Sequence, residues 1–248
     1  GAATVAKSTP DGYTLLAYGA LASANALYNK LPYDTLNDFV PVVAFGQQPL
    51  VIITSPAKGY KTLADLIAAG KQMPGVLNYS SAGVGSASHF GAERLLASAG
   101  FTAQHIPFKG AAEAVTEVLA GRIDFSVQLF ATTISLLRAG QLVALAVSSE
   151  TRASVMPQIP TTIEAGLPPD SVYPFYTGLF VPAKTPPDIV AKLYREATAA
   201  LASPTVKAQL AQLGVDPMAM DQAQFTAFFR KDVAANLALV EAAKIPKQ

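Results

Sequence analysis

Asn78-Tyr79-Ser80-Ser81-Ala82-Gly83-Val84-Gly85-Ser86-Ala87-Ser88-His89 is the stretch from which the rest of the chain can be read. An apolar lead, Val76-Leu77, runs into residues able to finish a strand, and a loop of small residues follows. Residues 90–99 then read as an amphipathic helix. Gly83 and Gly85 permit positive φ and let another group approach the backbone closely. Ser86 or Ser88 can cap the helix. The free N–H groups of its first turn, at the positive end of the helix dipole, form a ready anion site. Holding a carboxylate, phosphate or sulfate this way needs no metal, nucleophile or base. Strand-to-helix turns of small residues also occur in α/β proteins that bind nothing there. A dinucleotide fingerprint is excluded: Ser88 replaces its third glycine, and no acid stands at the expected distance, where residues 101–105 lie.

Outward from this stretch the pattern alternates. Thr62 with Asp65 reads as a capping box that opens a helix stopping near Pro74-Gly75. Beyond the loop, strands are predicted at 103–107, 123–129 and 142–147, with helices at 111–120 and 132–139 between them. This alternation means βαβ units and a mostly parallel sheet. Further strands are predicted at 13–18, 39–45, 50–54 and 175–182. Long helices follow from Asp188, Pro204 and Asp221, the last capped by Asp221 with Gln224 three residues on. The last carries Phe225, Phe228, Phe229, Val233, Leu237 and Val240, a stripe that reads as core packing. Thr54-Ser55-Pro56 and Pro174-Phe175-Tyr176 are the expected crossings between two lobes: 1–53 with 176–248, and 54–175. Such lobes place a ligand between them, against helix N-termini at the carboxyl ends of strands.

The composition narrows the function. Of 248 residues, 51% are hydrophobic and 14% charged, and the net charge is +1; this describes a well-buried globule. Eighteen Lys+Arg against 17 Asp+Glu, with no basic run, give no nucleic-acid footprint. No apolar run reaches the length of a membrane span, and no secretory signal is visible at the start. Zero cysteines exclude disulfides, thiol nucleophiles and cysteine metal sites. Two histidines, His89 and His105, leave little for metal binding or imidazole catalysis, and no cofactor is expected.

Ordered landmarks along the whole chain resemble the Bug or TctC family, the periplasmic solute receptors of tripartite tricarboxylate transporters. They include Pro10-Asp11-Gly12-Tyr13-Thr14-Leu15-Leu16, Ala26-Leu27-Tyr28-Asn29-Lys30-Leu31-Pro32-Tyr33-Asp34 and the central loop with His89. Pro107-Phe108-Lys109-Gly110, Glu164-Ala165-Gly166-Leu167-Pro168 and Gly178-Leu179-Phe180-Val181-Pro182-Ala183 continue the series. The resemblance implies an α/β fold of the two-lobed type II periplasmic binding protein kind. Each lobe would be a mostly parallel sheet flanked by helices, with the ligand in the interlobe cleft. It also implies a monomer in the periplasm that closes on a small carboxylate and hands it to a membrane permease, without entering the membrane or binding nucleic acid. The loop would hold one carboxylate through backbone amides, assisted by serine hydroxyls, with Ser81, Gly83, Val84, Gly85, Ser86 and Ser88 in contact.

Departures from the family refine this expectation. The family usually opens with a further strand and helix, and Gly1 falls in the motif that follows, so lobe 1 is expected to lack that element; truncation of the sequence is the favoured reason. Gln128 stands where several amino-acid-binding relatives have an acid, so it offers no counter-charge to an ammonium. It is a candidate for ligand contact or for a backbone hydrogen bond near the hinge. Tyr18 and Ala20 lie in a less polar version of their motif. With Tyr176 expected to face the cleft, the pocket suits an apolar or aromatic body carrying a carboxylate; core packing is the competing reading of Tyr176. His89 is expected to pack or to bond Glu93, and His105 to be a strand-end histidine. A sensor that feeds a signalling partner would share the whole site. A hydrolase-like enzyme with Ser80 or Ser81 and a histidine base lacks the Gly-x-Ser-x-Gly turn, so no catalysis is expected.

Overall fold

The computed structural model describes residues 1–19, 21–173 and 175–247. Ala20, one of the expected contact residues, lies outside the described residues. The chain forms two compact units, Gly1–Gln47 with Tyr176–Gln248, and Gln48–Phe175.

The first unit opens with α1 (Ala2–Ala6), β1 (Leu16–Tyr18), α2 (Leu21–Leu27) and β2 (Phe39–Gln47). The second unit contains β3 (Leu50–Thr54), α3 (Leu63–Gln72), β4 (Asn78–Ser81), α4 (Ala87–Ala99) and β5 (Gln104–Pro107). It continues with α5 (Ala111–Leu119), β6 (Phe125–Leu129), α6 (Phe130–Arg138) and β7 (Val143–Ser148). The chain then returns to the first unit as β8 (Tyr176–Pro182), α7 (Pro187–Ala202), α8 (Pro204–Gln212) and α9 (Gln222–Ala242).

The capping signals act where the sequence places them. Thr62 Oγ1 accepts the Asp65 amide at 3.2 Å, and the Asp65 carboxylate accepts the Thr62 amide at 2.9 Å, so α3 starts with two orphan donors satisfied. Asp221 and Gln224 make the same reciprocal pair at the start of α9. Phe225, Phe229 and Val233 of α9 are buried, with Phe228 and Leu237 packed against them, as expected of a core stripe.

Pairing direction departs from the expectation of a mostly parallel sheet in each lobe. In the first unit the sheet order is β1-β8-β2, and both pairings are antiparallel. The reason is topological: β2 runs out of the unit at Gln47, and its neighbour β8 runs back in from Tyr176. Adjacent strands that leave and enter at one edge must run in opposite senses. In the second unit the order is β5-β4-β6-β3-β7. Here β4 is parallel to both β5 and β6, whereas β3, the strand that enters the unit, is antiparallel to β6 and β7.

This pairing also moves the first crossing. β3 was expected to close lobe 1 at residue 53, but all its partners lie in the second unit, so the chain crosses between Gln47 and Gln48. Only Leu16–Tyr18 of the predicted strand at 13–18 pairs, and Tyr13 is 90% exposed. β1 is a sheet edge among the described residues, so nothing there extends its ladder.

The second unit presents the loop on a firm base. Asp124 anchors the start of β4: its carboxylate accepts the Asn78 amide at 2.9 Å and meets Lys58 Nζ at 2.7 Å. Gly91 lets α4 settle onto β3 and β6, since a Cβ there would come within 2.7 Å of Leu50 and 3.0 Å of Val127. Under the other face of this sheet, Val51, Ile53, Val115, Val118, Phe130 and Val147 form the core with α5 and α6.

Candidate functional site: a glycine-serine turn at the start of a helix

β4 lies between two parallel neighbours, and its last residue, Ser81, feeds a turn of residues 82–86 that ends at the N-terminus of α4. Gly83 at φ +113° and Gly85 at φ +83° hold conformations that side chains resist. Ser86 caps α4, its oxygen accepting the His89 amide at 3.3 Å.

The turn is closed largely by its own serines. The Ser86 hydroxyl donates to the Gly83 carbonyl at 2.7 Å. Ser88 Oγ accepts the Ala82 amide at 2.9 Å and lies 2.9 Å from Ser86 Oγ, to which it donates. Ser81 Oγ accepts the Gly83 amide at 3.1 Å and sits 2.6 Å from His105 Nε2. All three hydroxyls are therefore committed inside the loop. Their described bonds give these serines a scaffold role within the turn.

The backbone tells the complementary story. The amides of Ala82, Gly83, Gly85 and Ser86 have protein acceptors, the last being the Gly83 carbonyl at 3.2 Å. Those of Val84, Ala87 and Ser88 find no acceptor among the described residues. No charged side chain takes part in the loop's described hydrogen bonds. An anion here would meet amide dipoles and a helix start.

Gln128 is buried and joins the same assembly. Its Nε2 donates to Ser126 Oγ at 2.9 Å, and that hydroxyl donates to the Ser80 carbonyl at 2.6 Å. It thus tethers β6 to the strand that carries the loop. The tyrosines belong to the first unit: Tyr18 is 41% exposed on β1, whereas Tyr176 is 3% exposed. Tyr176 packs edge-on against Phe225 and Phe228, and its hydroxyl donates to Asp232 Oδ2 at 3.1 Å. This packing matches the competing, core reading of Tyr176, because α9 brings an aromatic stripe onto the first residue of β8.

Behind the loop lies a cluster of which the sequence reading anticipated only the packing of His89 near Glu93. His89 and His105 stack with centroids 4.1 Å apart, and the Tyr79 ring lies 4.8 Å from His105. His89 Nδ1 accepts the Gly85 amide at 3.2 Å, and its Nε2 is 3.9 Å from Glu93, to which the Tyr79 hydroxyl also bonds. Burial pushes His105 down to about 4; burial and the neighbouring His105 push His89 down to about 3. Burial raises Glu93, against the Tyr79 hydrogen bond. Tyr79 is raised by burial first and then by the charge and hydrogen bond of Glu93. Both histidines are thus neutral at ordinary pH. The signal for this cluster was register: Tyr79 and Ser81 share a face of β4, and parallel pairing sets Tyr79 opposite His105.

Ser81 beside His105 looks superficially like a nucleophile and base. Ser81, however, has no exposed surface, and its oxygen already accepts an amide. Among the described residues no group of histidine and acidic side chains is arranged to hold a metal, and no helix is long and apolar enough to cross a membrane.

Comparison with known proteins decides the family. The tripartite tricarboxylate transporter family receptor, TctC, matches residues 1–245. The chain belongs to the TctC family. BugT of Bordetella pertussis is 32% identical over 236 residues, covering 94% of this chain and 72% of BugT. A UPF0065 protein from a tcbD–tcbE intergenic region of Pseudomonas sp. is 34% identical over 217 residues, 87% of this chain but 64% of that protein. Among solved structures, an R. palustris protein with adipate superposes with a TM-score of 0.85 at 26% identity, covering 100% of this chain and 83% of the other. MatC from Rhodopseudomonas palustris with bound malate gives a TM-score of 0.80 at 28% identity, covering 96% and 83%. BugD, a periplasmic binding protein, gives 0.82 at 27% identity, covering 100% and 84%. This TctC member therefore has the type II periplasmic binding protein fold, in a family of solute-binding receptors.

Proposed function

We propose that this chain captures a small carboxylate in the periplasm, closes its two lobes on it and delivers it to a tripartite tricarboxylate-type permease. The observation that carries the reading is the set of open amides at Val84, Ala87 and Ser88, at a helix start where no charged side chain joins the described hydrogen bonds. One ligand carboxylate sits there, completed by bridging water. Neutral Gln128 gives an ammonium no counter-charge, so the favoured ligands are dicarboxylates, tricarboxylates or aromatic carboxylates and not amino acids. Adipate and malate in related structures support that class. The chain acts by binding and carries out no catalysis.

The test is a thermal-shift and calorimetric screen against citrate, malate, adipate, aspartate, nicotinate, benzoate and terephthalate. A selective rise in melting temperature with one carboxylate class is expected, about 2.7 kcal/mol of stabilisation at a hundredfold excess over Kd. A folded protein that responds to none of them contradicts the reading.

A further inference from the structure

The two histidines behind the loop meet it at two points. His89 Nδ1 is 3.2 Å from the Gly85 amide, and His105 Nε2 is 2.6 Å from Ser81 Oγ, the oxygen that also accepts the Gly83 amide. The rings lie within 11° of parallel, so each restrains the other's tilt. We infer that His89 and His105 are positioning residues for anion capture: their ring nitrogens hold the Gly85 amide and the Ser81 hydroxyl inward, which keeps the turn shaped so that the Val84, Ala87 and Ser88 amides stay open to a carboxylate. The inference rests on the receptor reading above and assigns these side chains a part in it.

The proton arrangement follows from the donors. An amide can donate only to a bare ring nitrogen, so His89 carries its proton on Nε2, the nitrogen nearest Glu93 at 3.9 Å. Glu93 is engaged in turn by the Tyr79 hydroxyl, whose ring lies against His105. Glu93 thus lies on the Nε2 side of the His89 ring, held there by the Tyr79 hydroxyl. Neutrality of both rings is compatible with their burial. A protonated His89 would turn a donor toward the Gly85 N–H and break the contact.

Crossed amide substitutions separate positioning from packing. The Asn side-chain oxygen reaches roughly where His Nδ1 stands, and the Gln oxygen roughly where Nε2 stands. His89→Asn should bind the screened carboxylate within about threefold of wild type, and His89→Gln about tenfold more weakly, the worth of one net hydrogen bond. At His105 the order reverses: His105→Gln retains affinity and His105→Asn loses about tenfold. All four variants lose the stack alike, so equal affinities within each pair would show that the rings merely fill space and would overturn the inference.

A second measurement needs neither mutation nor ligand. The imidazole ¹⁵N spectrum of the wild-type protein should show His89 protonated on Nε2, with Nδ1 bare and coupled to the Gly85 amide. His89 protonated on Nδ1 overturns the positioning role, whatever the protein binds. A wild-type protein with the expected tautomer that binds no carboxylate overturns the receptor reading itself.

Discussion

Among the described residues, each unit buries a tyrosine with its hydroxyl on an acid, Tyr79 on Glu93 in the second and Tyr176 on Asp232 in the first. The side-chain pairs are alike, and their surroundings differ. Tyr176 lies among phenylalanines, and Asp232 is further bonded by Asn236 within α9 at 2.9 Å. That pair fixes a helix to a sheet. Tyr79 instead adjoins two stacked histidines whose outer nitrogens reach a turn with open amides. A buried phenol–acid pair is therefore no sign of function by itself; the contacts beyond it decide whether it serves a core or a site.

Gly85→Val should break the comparison most severely. A β-branched residue at φ +83° adds about 1–3 kcal/mol of strain and must displace the turn. Carboxylate binding measured by calorimetry is expected to weaken by about a hundredfold or more, while circular dichroism stays that of a folded protein. Unchanged affinity would remove the loop from the site.

Acid sharpens the contrast, because both histidines of the chain belong to the second unit. Their folded-state values, about 3 for His89 and about 4 for His105, lie below the ordinary 6.5. The unfolded chain therefore binds more protons between these limits, and the stability they confer is present above pH 6.5 and lost as pH falls toward 4. The slope reaches about 1.4 kcal/mol per pH unit for each ring. Glu93, raised by burial, acts in the opposite sense, since its contribution declines as pH rises through its folded value. Urea midpoints followed from pH 7 to 4 should fall steeply in wild type and less in His105→Gln. Parallel profiles would contradict the assignment.

Tyr79→Phe and Tyr176→Phe test the two pairs directly. Each should cost about 1–3 kcal/mol in urea denaturation, because each leaves a buried acid without its phenol. Only Tyr79→Phe should also weaken carboxylate binding, by about three- to tenfold, since it loosens the support of His89 and His105. An equal loss in Tyr176→Phe would return Tyr176 to the binding surface. The smallest effect is expected for Ser126→Ala, which cuts the Gln128 tether to Ser80 and should cost about 0.5–1.5 kcal/mol of stability.

Local chemistry was readable in the sequence. The Thr62/Asp65 and Asp221/Gln224 caps, the positive φ at Gly83 and Gly85, and the strand–turn–helix at 78–99 depend on residues a few positions apart. Choices of partner were not readable. The Val- and Ile-rich run of β3 suits either sheet equally, so the crossing was misplaced until β6 and β7 claimed it. Tyr176 begins a strand whose residues alternate between faces, and only α9 settles which face is core. The contact of Ser81 with His105 joins residues 24 positions apart and emerges only once β4 and β5 are set in parallel register.

The most direct measurement is an amide ¹H–¹⁵N titration of the wild-type protein with the carboxylate that gives the largest thermal shift. Saturating shifts at the amides of Val84, Ala87 and Ser88, larger than those at Gly83 and Gly85, are the predicted result. Binding that leaves those three amides unmoved would contradict the account.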